Sequence, residues 1–167
     1  RPADANLILA MKPDIAGHIN GGPIPPAIDD IRRIVCEGSC FLEIAYCGNL
    51  ILGAKVVEWA AEIKQLERVI IGSDTPSGTG VTPRAMLRTI AAVATSESVR
   101  PEEVICMATG SVARAHGLDS GIIKAGMPAD LVLAGKIQGS AGNDALTALS
   151  AGNLLGVAMV LIDGRLV

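Results

Sequence analysis

The chain has 167 residues, 50% of them hydrophobic and 19% charged, with a formal net charge of −3. One Trp, one Tyr and one Phe leave too few rings for carbohydrate grooves or single-stranded nucleic-acid platforms, and a mildly acidic balance without a Lys/Arg cluster argues against a phosphate-backbone partner. A core fed mainly by Ala, Ile, Leu and Val instead suits parallel α/β layers covered on both faces.

Arg1-Pro2-Ala3-Asp4 reads as a mid-chain entry into a helix, a sign of truncation. The pattern predicts that helix over 3–11, with Asp4 as N-cap and Pro13 as the stop. Asp14 to His18 is a short buried strand that runs into a Gly/Pro loop, 20–26. Ile28, Ile31, Ile34 and Val35 recur at helical spacing and Gly38 closes that helix. Cys40 to Tyr46 is a second strand, followed by the loop Cys47-Gly48-Asn49 and a helix over about 50–64. Arg68 to Ile71 is a third strand, leading into the glycine-rich loop 72–80 and a helix over about 83–95. Three strand–helix units in this rhythm predict parallel strands, in an open doubly wound sheet or in a (β/α)₈ barrel; periodicity does not choose between them.

Beyond residue 95 the grammar changes. Two short helices are expected over 101–108 and 111–115, with Gly117 as a C-cap. Two short strands follow, 121–126 and 129–133, joined at a Gly/Pro turn, and then a helix over 144–151. Gly156 to Ile162 and Arg165 to Val167 form a hairpin across Asp163-Gly164, a strong two-residue turn signal. The expected division is an α/β part over 1–117 and a β layer over 118–167.

Cys36, Cys40, Cys47 and Cys106 form no CxxC pair, and no Asn-x-Ser/Thr site occurs. These features predict reduced, buried thiols in a cytoplasmic protein. No apolar run reaches the ~18 residues that span a bilayer and no signal peptide opens the chain, so no membrane partner is expected.

His18 and Asp74 each stand at the end of a predicted strand. A lone His there is commonly structural, and an Asp there can cap the next helix. Their shared position raises the functional reading: in parallel α/β folds strand C-termini all point to one face, where ligands bind, and one imidazole plus one carboxylate is half of a typical metal site. The glycine-rich loop lacks the Gly-Lys-Ser/Thr ending of a phosphate cradle. Glu43, within a strand, reads as an ion-pair or polar-layer residue. Cys47 reads as a small inert side chain, and His116 as a helix C-terminal imidazole favoured by the dipole.

His18-Ile-Asn-Gly-Gly22, Glu43-Ile-Ala-Tyr-Cys-Gly-Asn49 and Gly72-Ser-Asp-Thr-Pro-Ser-Gly-Thr-Gly80 resemble the last three barrel strands of enamidases. Cys106-Met-Ala-Thr-Gly110, Gly121-Ile-Ile-Lys-Ala-Gly-Met-Pro-Ala-Asp-Leu131 and Leu161-Ile-Asp-Gly164 resemble the C-terminal signature of the wider amidohydrolase superfamily. The resemblance covers nearly the whole chain. It implies the last three strand–helix units of a (β/α)₈ TIM-type barrel, plus the C-terminal part of a small β-sandwich. It further implies one or two divalent metals, zinc with iron as the other candidate. His18 would be a metal ligand, and Asp74 a ligand that also shuttles protons. Asn20, Asn49, Ser77 and Thr79 lie on loops placed to hold substrate. The superfamily's remaining ligands have no counterpart, since a whole barrel takes roughly 250 residues.

The implied activity is hydrolysis of a cyclic amide, in enamidases a partly reduced oxo-nicotinate lactam, by metal-activated water. By itself the segment is expected to be inactive. Its expected partners are a small cyclic amide and the missing N-terminal barrel half or another copy of the chain in a homo-oligomer. Two other readings compete: a non-catalytic α/β binding or structural subunit, and one chain of a split enzyme.

Overall fold

The computed structural model describes residues 4–22, 24–76 and 80–167. The first helix, α1 (Ala5–Met11), starts where Asp4 Oδ1 accepts the Leu7 N–H at 2.9 Å and stops at Lys12, in the left-handed region at φ 48°. Then come β1 (Ile15–Ala16), α2 (Ile28–Glu37), β2 (Phe41–Ala45), α3 (Leu50–Glu62) and β3 (Val69–Gly72). The three strands form one parallel sheet in the order β1-β2-β3.

Strand alternation assigns the two faces. Leu42 and Ile44 of β2, with Val69 and Ile71 of β3, face the helices and join Ile34 of α2 and Val56 of α3 in the main core. α1 packs on α2, α2 on α3, and α3 on the next helix, α4 (Ala85–Val93). The opposite face of the sheet carries Ile15, Phe41, Glu43 and Ile70, aligned by the strand register. At the N-terminal end of the strands the buried guanidinium of Arg68 donates to Cys40 O at 2.9 Å and to Val35 O at 3.0 Å. It thereby ties the last turn of α2 to the start of β2, where a cation also suits the helix dipole.

After α4 the chain forms α5 (Pro101–Met107), α6 (Gly110–His116), β4 (Leu131–Gly135), α7 (Ala145–Ser150), β5 (Gly156–Ile162) and β6 (Arg165–Leu166). Gly117, left-handed at φ 64°, caps α6 as expected. β4, β5 and β6 make a second, antiparallel sheet. Asp163 and Gly164 turn its hairpin at φ 50° and 75°, the paired positive values of a type I′ turn. The strand expected over 121–126 does not form. Gly121 and Gly126 lie at φ 75° and 89°, in a region that strand backbone does not visit.

α7 returns from the second sheet to pack on α4 and α5, and its Leu149 is buried in the main core. The C-terminal segment therefore feeds both layers. Among the described residues, no helix is long and apolar enough to cross a membrane. Cys40 is buried, whereas Cys36 and Cys106 are exposed, which corrects the expectation that the thiols are all interior.

Candidate functional site

β1 and β3 flank β2 and run parallel to it, so the residues that follow their last hydrogen-bonded positions emerge at one end of the sheet. His18 follows β1 and Asp74 follows β3. Both have left-handed backbones, at φ 33° and 46°. Such a conformation costs a non-glycine residue of order 1–3 kcal/mol and concentrates where function fixes the geometry. Asp74 caps no described helix, because α4 begins at Ala85 behind Arg84.

Two side chains of the middle strand and its loop reach these residues. The Glu43 carboxylate accepts the His18 backbone N–H, with Oε2 at 3.1 Å. It lies between Gly17, just after β1, and Gly72 of β3: a Cβ on Gly17 would stand 3.5 Å from Oε2, and one on Gly72 would collide with Oε1. Among the described residues Glu43 is in no ion pair; of the two readings of Glu43 the polar-layer one fits, since the sheet opens a polar slot for it. On the other flank the Cys47 thiol donates to Asp74 Oδ2 at 2.8 Å. This corrects the inert reading of Cys47. The sequence signal for both contacts was the small residue on each side, Gly17 and Gly72, together with a thiol directly after a strand.

Burial pushes the Cys47 thiol up to about 11, helped by its hydrogen bond to Asp74 and by the charges of Asp74 and Glu43. At pH 8 Cys47 is a neutral donor, not a nucleophile. Folding raises this pKa, so its stabilising contribution is full below the ordinary thiol value and fades as pH climbs through about 11. Alkylation at pH 8 is expected to run ~100-fold slower at Cys47 than at a thiol of ordinary pKa. Peptide mapping after timed iodoacetamide exposure checks this, with exposed Cys36 and Cys106 as internal standards. Equal rates at Cys47 and Cys106 would contradict it.

Asn20 and Asn49, expected on substrate-facing loops, are occupied in the scaffold. Asn20 is fully buried. Its Nδ2 donates to Ala45 O at 2.9 Å and Asn49 O at 3.2 Å, and its Oδ1 accepts the Ala45 N–H at 2.9 Å. Asn49 is the N-cap of α3, its Oδ1 accepting from Ile51 and Leu52. Ser77 and Thr79 lie outside the described residues.

The His18 imidazole is exposed and leans over Gly22, where a Cβ would stand 3.4 Å from Nδ1. It borders a largely apolar groove of about 560 Å³ that runs along β1, between Ile8 and Met11 of α1 and the loop residues Ile24 and Pro25. Imidazole and carboxylate are donors that zinc and similar divalent ions accept. Among the described residues, no group of three or more His, Cys, Asp or Glu converges as an ion site. The donor set fits a metal centre in kind and falls short of it in number.

Comparison with known proteins gives the chain's family. A model of the amidohydrolase family matches residues 35–167. Enamidase of Eubacterium barkeri is 41% identical over 163 residues, a match covering 98% of this chain and 42% of that protein. The crystal structure of enamidase, described as a new member of the amidohydrolase superfamily, superposes with a TM-score of 0.93 at 40% identity, covering 98% of this chain and 43% of that one. The chain thus spans less than half the length of the relatives it matches, and it belongs to the amidohydrolase family.

Proposed function

We propose that this chain is the C-terminal part of a metal-dependent hydrolase of cyclic amides, acting in the cytoplasm. In this reading β1 to β3 are the last three strands of a (β/α)₈ barrel, and β4 to β6 belong to a small β-sandwich. The observation that carries it is the emergence of His18 and Asp74 at the same end of two parallel strands, the end at which barrel enzymes build their sites. The enamidase match over 98% of the chain supports the same reading.

His18 and Asp74 would hold a divalent ion, zinc or iron, together with ligands from the rest of the barrel. Once bound, the ion supplies an acidified water and a polarised substrate carbonyl. Asp74 takes the proton as water attacks the amide carbon and delivers it to the leaving nitrogen, a base-then-acid role. Ser77 and Thr79, which lie outside the described residues, are assigned to substrate from the sequence, while Asn20 and Asn49 hold the floor beneath it. Dialysis of the assembled protein against a chelator is expected to abolish lactam hydrolysis, with zinc or iron restoring it. Full turnover by the metal-stripped protein would sink the proposal.

The second sheet makes the chain's dependence on further segments testable. Cross-strand pairing sets Leu131 and Leu133 beside Leu161 and Met159, and Val132 beside Val160. Alternation sends these pairs to opposite faces, so both faces are apolar. Val132 and Leu133 are 62% and 58% exposed. Such surface is rarely left open in a monomer. The 167-residue chain alone is expected to dimerise or aggregate in sedimentation experiments. A monomer with a sharp two-state melt would contradict this.

A further inference from the structure

We infer that β2, the strand carrying no proposed ligand, is the positioning element of the site: Glu43 fixes the backbone of His18 and Cys47 fixes the carboxylate of Asp74. The inference rests on the reading of His18 and Asp74 as metal-binding, and it assigns a role to two residues that this reading leaves unused.

The argument starts from the two left-handed backbones. His18 at φ 33° and Asp74 at φ 46° sit in the sparsely populated left-handed region, where contacts that hold a residue in place offset the cost. For His18 one such contact is the Glu43 carboxylate on its own N–H at 3.1 Å, beside the local turn in which the His18 carbonyl accepts the Gly21 N–H at 3.0 Å. One residue further, Ile19 N donates to Glu43 O at 2.9 Å. Glu43 therefore grips the chain on both sides of the His18 Cα, once through its side chain and once through its backbone. A hydrogen bond to an ionised acceptor is about twice as strong as a neutral one. Gly17 and Gly72 explain how a carboxylate fits there, because a side chain on Gly72 would occupy its place.

For Asp74 the corresponding contact is the Cys47 thiol on Oδ2. A carboxylate held through one oxygen has its rotation about χ2 fixed, and the other oxygen, Oδ1, is turned elsewhere. Among the described residues no side chain or backbone group donates to Oδ1. That oxygen is the one left for an ion or a migrating proton. Cys47 itself is set by Tyr46 N, which donates to Gly72 O at 3.2 Å and registers the end of β2 against the end of β3. The middle strand thus reaches one group to each neighbour, and both groups end on the residue that leaves the sheet.

The test uses the assembled protein loaded with zinc, and reads zinc retention by competition with a chelator. Removing an outer partner of this kind weakens metal affinity by about 10–100-fold. Glu43→Ala and Cys47→Ala are each expected to lose affinity in that range. Glu43→Gln and Cys47→Ser, which keep an acceptor and a donor, should recover most of it. A role limited to packing predicts equal recovery by Glu43→Met and Cys47→Val, which fill the space without an acceptor or a donor. Should Glu43→Ala not fold, Cys47→Ala, which removes the donor to Asp74, decides through its cobalt-substituted form. A ligand-field band shifted from that of the parent supports the inference, and an identical spectrum overturns it. His18→Ala and Asp74→Ala serve as references. If these release zinc while the Glu43 and Cys47 variants hold it like the parent, the positioning role is wrong. If the references also hold zinc, the metal reading beneath it is wrong.

Discussion

Asp74→Asn is expected to cut lactam hydrolysis by the assembled protein by about 10²–10⁴-fold, the range that a positioned acid–base group contributes. Asparagine keeps the shape and can still accept from Cys47 Sγ through its carbonyl oxygen. It cannot take a proton from water or return one to a leaving nitrogen, and it brings no charge to an ion. The substitution also has a readout that needs no turnover. The Asp74 hydrogen bond and charge both raise the Cys47 pKa, after burial, which is the larger cause. Neutralising Asp74 lowers that pKa, so Cys47 should alkylate faster at pH 8 in the variant than in the parent. The two measurements separate chemistry from structure. Faster alkylation with activity kept within tenfold would mean that the contact is real and the proton-transfer role is not.

Much of this arrangement was legible in the sequence. The helices showed themselves through spacing and caps, as with Asp4 ahead of α1 and Gly117 after α6. The strands were readable because Leu42, Ile44, Val69 and Ile71 combine aliphatic character with the period of two, and the order of units implied a parallel sheet. What sequence could not supply was distance between units. The pairing of Cys47 with Asp74 and the gap between Gly17 and Gly72 arise only when separate strands are set in register. Local rules are less sharp where a glycine has more than one use. Gly38 does close α2 as expected, with an extended backbone at φ −85° in place of a left-handed one; a Cβ there would stand 2.5 Å from Ile34 O. In the stretch 121–126 the flanking glycines mark turns, and the apolar Ile122 and Ile123 between them stay exposed.

Asn20→Ala is expected to destabilise the protein by about 3 kcal/mol, since a buried group left without its partner costs about 1–3 kcal/mol and the losses do not simply add. Asn20 joins the loop after β1 to the end of β2 and the start of α3 through the Ala45 N–H, Ala45 O and Asn49 O. A fourth tie, Asn49 N to Asn20 O at 2.9 Å, is a backbone bond and survives the substitution. Gly48 and Gly53 leave room for the amide, a Cβ on Gly48 falling 2.6 Å from Nδ2, so no neighbour can swing in to fill the void. Asn20→Asp sharpens the test. Aspartate still accepts the Ala45 N–H, but it turns a second oxygen toward Ala45 O and Asn49 O, where the parent donated. Near neutral pH the aspartate variant should therefore melt at or below the alanine variant. Protonation restores a donor, so its carboxyl titrates above the ordinary range in the folded state. The variant's stability is thus held below the unfolded carboxyl pKa and lost as pH rises through the folded one. Thermal melts of both variants across the acidic range check the sign. A gap between the aspartate and alanine variants that does not narrow or reverse on acidification would show that the Asn20 amide protons do not hold this loop. The shape of the floor beneath His18 would then need another cause.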